Sequence, residues 1–156
     1  MQPQSKQSLV FEEFLAESEA GLRYSLIALF GPEDGRDAVA QALLYGWEHW
    51  DRLGEMNNPA GYLYRVGQTW GRRNRRSSTS LQPVLVHHEP WVEPALPEAL
   101  GSLPEKQRVA VMLRHGADWS YEQIAAFMGS SPAGVRKNVE RALTRLRSVM
   151  EVNIES

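Results

Sequence analysis

The stretch "SYEQIAAFMGSSPAGVRKNVERALTRLR", residues 120–147, carries so many helix start and stop signals that few folds accommodate it. Ser120 followed by Gln123 has capping-box spacing, in which hydroxyl and amide side chains satisfy the free N–H groups at a helix start. A helix therefore begins at Tyr121. Gly129 ends it after Met128, because glycine tolerates the left-handed conformation at a helix C-terminus. Ser131 is a second N-cap, and Pro132 suits a first helical position, where its missing N–H is no loss. Helix, short glycine turn and longer helix make the helix-turn-helix pattern. On the second helix Val135, Val139, Ala142, Leu143 and Leu146 share one face and read as core.

The residues pointing away from that core are basic. Residues early in such a helix reach base edges in the major groove. Arg136, Lys137 and Arg141 suit guanine or phosphate, and Asn138 suits adenine. Ser131 caps the helix, while Ala133 and Gly134 lack the bulk that would keep a backbone away from DNA. A helical hairpin with a basic solvated surface is the plainer alternative.

The net charge of −2 conceals strong segregation. Residues 1–56 sum to −6, residues 57–80 to +5, residues 81–105 to −4 and residues 106–147 to +5. The two basic segments are separate candidate phosphate footprints. In the first, Tyr62, Tyr64, Arg65, Gln68, Thr69 and Trp70 run into Arg72, Arg73, Asn74, Arg75 and Arg76. Aromatic rings interleaved with arginines suit exposed bases, with rings stacking on bases and guanidinium groups holding phosphates. Core packing is the plainer alternative for Trp70 and one tyrosine, and the simpler reading for Trp70; Tyr62 and the arginine cluster are harder to explain as core.

Ahead of that segment, Phe11, Leu15, Leu22, Leu26 and Leu29 mark a helix over roughly 9–30. Val39, Leu43, Trp47, Trp50 and Leu53 mark the buried stripe of a second, over about 35–53. Asn58 and Pro59 start a third, with Leu63, Val66 and Trp70 on one face. On the second helix Ala40, Gln41, Leu44 and Tyr45, beside Asp37, lie off the stripe and form either a protein-docking face or a wider core-facing band. Residues 77–100 hold four prolines and read as a linker. The fold class expected is all-α: two small helical domains, 1–76 and 101–150, joined by a flexible linker over 77–100, the second a helix-turn-helix, with a tail over 151–156.

Several classes are set aside. There is no cysteine, hence no disulfide framework or thiolate metal site. No segment has the length of a membrane span, and the N-terminus lacks a secretion-signal pattern, so a cytoplasmic protein is expected. His49, His115 and the tandem His87-His88 have no metal-binding spacing, and no nucleophile motif or glycine-rich phosphate loop occurs. We therefore expect no catalysis, no metal, no cofactor and no small-molecule substrate.

Taken together, "DAVAQALLYGWEHWDRL…NNPAGYLYRVGQTWGRRNRR" resembles the second conserved region of bacterial RNA polymerase sigma factors. "LPEKQRVAVMLRHGADWSYEQIAAFMGSSPAGVRKNVERALTRLR" resembles the fourth. With these two regions and a short linker, the chain is similar to the extracytoplasmic-function (ECF) group over residues 9–76 and 97–147. The resemblance implies an alternative sigma factor that binds core RNA polymerase and directs initiation from promoter DNA. Asp37, Ala40, Gln41, Leu44 and Tyr45 would dock on the polymerase. Asn57, Asn58, Tyr62, Arg65, Gln68, Arg72, Arg73, Arg75 and Arg76 would hold the −10 element, the two asparagines cradling a flipped base. Ser131, Ala133, Gly134, Arg136, Lys137, Asn138 and Arg141 would read the −35 element. Glu89, Glu93 and Glu98 would thread a path meant for nucleic acid. An anti-sigma partner, often membrane-anchored, is implied as well. Ala40-Gln41 stands where a glutamine–acidic pair is common, which motivates a second reading: a sigma-like interaction protein that binds polymerase or a regulator without directing initiation.

Overall fold

The computed structural model describes residues 3–75 and 96–155, with side chains described over 10–75 and 96–151. Arg76 and the linker residues His87, His88, Glu89 and Glu93 lie outside the described residues. All regular structure among those described is helical.

The first half is built from α1 (Pro3–Phe30), α2 (Pro32–Glu48), the single-turn α3 (Trp50–Leu53) and α4 (Pro59–Arg73). Leu22, Leu26, Leu29, Leu53 and Leu63 are fully buried where these helices meet, each contributing about 1.5–3 kcal/mol by leaving water. The spacing that predicts one helix over 35–53 is interrupted at His49, whose φ of −119° and ψ of 20° leave the helical region and end α2. The break rotates the chain beyond it. Trp50 and Leu53 remain buried, but Trp47, expected in the buried stripe, is 50% exposed. Ala38, Ala42 and Gly46 take the inward positions instead. Small residues let α4 approach its neighbours: a Cβ on Gly67 would stand 2.6 Å from Leu26, and one on Gly71 would collide with the Phe30 ring.

The second half comprises α5 (Leu96–Gly101), α6 (Glu105–Val111), α7 (Tyr121–Met128) and α8 (Pro132–Glu155). α5 begins inside the stretch that reads as linker and seats Ala99 and Leu100 in an apolar cluster with Ala142 and Leu146 of α8. α6 continues into a π-helical turn, Met112–Gly116. The helix-turn-helix signals are realised in detail. Ser120 and Gln123 make both capping-box bonds, at 3.1 and 2.8 Å. Gly129 takes φ 68°, and α8 starts at Pro132. Val135, Val139 and Ala142 are buried to 1% exposure or less. α8 runs on to Glu155, so residues 151–155 of the stretch set apart as a tail are the end of this helix.

The two halves share one core. Leu22 and Leu26 of α1 lie in the same buried cluster as Val109, Ile124 and Phe127 of the second half. Phe127 stacks on Tyr64 at 4.9 Å, and a Cβ on Gly21 would collide with the Trp119 ring. The buried Arg108 (5% exposed) donates across the seam to the Ala28 carbonyl at 2.6 Å and within its own half to Leu103 at 3.0 Å. It has no ion pair among the described residues, and its Nε is unpartnered. Desolvation lowers its pKa, as burial does for any cation.

Candidate nucleic-acid interface

In the α7–α8 hairpin, Ser131 caps α8 by accepting from the Gly134 N–H at 3.1 Å. Ala133, Arg136, Lys137 and Arg141 are exposed, and Gly134 and Asn138 are half-buried. Valines face inward and cations outward, because the buried positions recur every three to four residues. The Arg136 guanidinium lies 5.2 Å from the centre of the Tyr121 ring, and Arg114 lies 4.6 Å from the same ring. Tyr121 is not among the residues that spacing singles out. Its only signal is a large ring in the first position after a capping serine.

The second surface is on α4. Gly61, Leu63, Tyr64, Gly67 and Gly71 are its buried residues. The opposite face carries Tyr62, Arg65, Val66, Thr69, Trp70 and Arg73, which with Tyr45 and Asn74 line a cleft of about 430 Å³. Val66 and Trp70, read from spacing as core, are half-buried walls of this cleft, and Trp70 also packs against the core. Arg65, Arg72, Arg73 and Arg75 are exposed and Gln68 is half-buried. Arg72 pairs with Glu105 at 3.1 Å, and Arg75 sits 5.7 Å from the Phe30 ring.

The turn before α4 separates its two asparagines. Asn57 is exposed. Asn58 is the N-cap: its Oδ1 accepts from Gly61 N–H at 3.0 Å, while its Nδ2 donates to the Ala126 carbonyl at 2.6 Å. The Asn58 side chain is therefore occupied twice, once by α4 and once by the other half of the molecule.

On α2, Ala40, Gln41 and Leu44 are exposed and Asp37 is half-buried. Tyr45, grouped with them by spacing, turns into the cleft instead. Its hydroxyl receives Arg52 Nη2 at 2.8 Å and lies 3.5 Å from the Tyr62 hydroxyl. The Tyr62 hydrogen bond, with Arg52 beside it, holds the Tyr45 phenol below its usual range and pushes Tyr62 up in return. Trp47 falls on the same side as Ala40 and Leu44, at helical spacings of seven and three, and extends that exposed apolar strip. Among the described residues, no cluster of histidines and carboxylates is arranged to hold a metal ion, and no helix is long and apolar enough to cross a membrane.

An all-α chain with a capped helix-turn-helix and a separate aromatic–arginine cleft belongs to the class of helical DNA-binding proteins. The description "Sigma-70, region 4" matches residues 94–146. The chain is 30% identical over 154 residues to an RNA polymerase sigma-E factor of Streptomyces avermitilis, covering 92% of this chain and 86% of the relative. It is 31% identical over 150 residues to the sigma-E factor of Streptomyces coelicolor, covering 89% and 85%. Its fold is similar to that of the sigma factor RpoE in a co-crystal structure with the anti-sigma factor NepR from Bartonella quintana (TM-score 0.66, 20% identity, 91% of this chain and 97% of that one). The chain belongs to the RNA polymerase sigma factor family, proteins that bind core polymerase and direct it to promoters.

Proposed function

We propose that this sigma factor works as an ECF-type promoter-reading subunit with no catalysis of its own, acting in the cytoplasm. α8 reads the −35 element as duplex through Arg136, Lys137, Asn138 and Arg141, with Ser131, Ala133 and Gly134 at the point of closest approach. The turn at Asn57 and the cleft face of α4, including Tyr62, Arg65, Gln68, Arg72, Arg73 and Arg75, take the −10 element as it melts; Arg76 comes directly after in sequence. The exposed strip of Ala40, Gln41 and Leu44, with Asp37 beside it, docks on core polymerase. An anti-sigma protein, membrane-anchored or soluble, restrains the chain by covering these surfaces. Residues 1–76 and 101–150 act as two domains bridged by 77–100.

The observation that carries this reading is the coexistence of two exposed cationic surfaces built differently. One is a helix face suited to a groove. The other is a cleft walled by Tyr45, Tyr62 and Trp70 and rimmed by arginines, suited to unstacked bases. The test is reconstitution: chain plus core bacterial RNA polymerase on fragmented host genomic DNA, with transcript 5′ ends sequenced. Starts sharing two spaced upstream elements are the expected outcome. Co-elution with polymerase without new starts would overturn promoter reading and leave an interaction protein.

A further inference from the structure

Two guanidinium groups meet at one tyrosine ring. Tyr121 opens α7, held by the Ser120–Gln123 capping box. Arg114 reaches the ring from the π-helical turn and is also anchored, its Nη1 donating to the Trp119 carbonyl at 3.0 Å. Arg136 reaches the same ring from the second turn of α8 and is exposed. An exposed arginine ordinarily samples many rotamers and loses that freedom when it meets a base edge. A ring face within about 6 Å of a guanidinium attracts it and holds it in a stacked plane. The anchored Arg114 carries the same charge, so repulsion directs the free end of Arg136 away from the hairpin and toward an incoming phosphate or base.

We propose that Tyr121 is a positioning residue for promoter reading, presetting the Arg136 guanidinium before DNA arrives. The proposal rests on Arg136 facing the −35 duplex. The experiment transcribes a promoter library randomised across the −35 segment, using core bacterial RNA polymerase with the natural chain, Tyr121→Phe, Tyr121→Leu, Arg136→Ala or the Tyr121→Leu/Arg136→Ala pair. Tyr121→Phe keeps the natural base preferences. Tyr121→Leu weakens preference roughly 5-fold, the scale of one cation–π contact, and only at the positions that Arg136→Ala flattens. The pair is no worse than Arg136→Ala alone. A Tyr121→Leu chain that loses output evenly across all sequences, or a pair whose losses add, would overturn positioning and leave Tyr121 a structural clasp. If Arg136→Ala flattens nothing, the reading of Arg136 itself has failed, and the role of Tyr121 falls with it.

Discussion

The two reading surfaces differ in how they are held. The start of α8 is open: Arg136, Lys137 and Arg141 are exposed, and their support comes from residues within the same hairpin. The α4 surface is entangled at both ends: Asn58 before its first turn is bonded into the other half, and Arg72 in its last turn is paired with Glu105 from α6. A helix-turn-helix is a local device whose caps and stripe lie close together in sequence. The α4 surface depends on which partner happens to be packed against it. The first is therefore supported within its own hairpin, whereas the second is held in part by the other half of the molecule.

The largest effect that separates the two is a charge in the core of α8. Val139 is 1% exposed, and Val139→Asp buries an unpaired carboxylate at roughly 3–5 kcal/mol. The expected outcome is loss of −35 binding with core polymerase binding retained, because α2 and α4 keep α1 as a platform. Circular dichroism melting should then resolve two transitions. A single transition, with polymerase binding lost as well, would mean that the shared core makes the halves inseparable.

Next come the cations. Arg136→Ala and Arg141→Ala should each cost about 1–3 kcal/mol in −35 duplex binding if they touch bases. Arg65→Ala and Arg73→Ala should leave duplex binding unchanged but slow promoter opening, monitored by a fluorescent base analogue in the −10 strand. Equal loss of both activities from all four would erase the distinction between a groove reader and a single-strand cleft.

The asparagines sharpen it further. Asn58→Ala removes an N-cap, worth about 0.5–2 kcal/mol, together with a cross-seam hydrogen bond of about 1 kcal/mol. It should lower the melting temperature. Asn57→Ala touches no described partner and should leave stability within about 0.5 kcal/mol of the natural chain, while impairing promoter opening. A thermal melt beside an opening assay separates them; the reverse pattern would mean that the exposed asparagine is structural.

Legibility in the sequence divides along the same line. The all-α class, the capping box, the Gly129 stop, the Pro132 start and the α8 stripe can be read because each signal acts on a backbone within a few residues of itself. The exposure of Trp47 cannot be read, because α2 buries a face of small residues, Ala38, Ala42 and Gly46, beside the stripe that the larger side chains mark. Tyr45 groups with Leu44 by spacing, yet its hydroxyl is drawn toward Arg52 and Tyr62, partners that neighbouring residues do not announce. Val66 and Trp70 come to wall the cleft for a related reason: Gly67 and Gly71 let α4 close on Leu26 and Phe30, and Leu63 and Tyr64 fill its buried face. The seam itself has no sequence signature, since it joins residues such as Ala28 and Arg108 that are 80 apart.

The smallest expected effect concerns the forces that hold that seam. Arg72 and Glu105 form an ion pair across it, but their side chains are 49% and 47% exposed. Such a pair contributes about 0–1 kcal/mol and is screened by salt. Dyes on Glu17→Cys and Glu140→Cys, in a chain that has no cysteine of its own, report the distance between halves, and Glu105→Gln should leave it nearly unchanged, at low salt and at high. Promoter binding should respond quite differently, since a surface that neutralises several phosphates loses affinity steeply as salt rises. If the seam is apolar, held by Trp119, Phe127 and Tyr64, the two measurements part company across a salt titration: constant closure, falling DNA affinity. Should Glu105→Gln open the chain, or salt alone do so, the seam would be electrostatic. The packing of the two halves would then be set by ionic strength rather than by apolar burial.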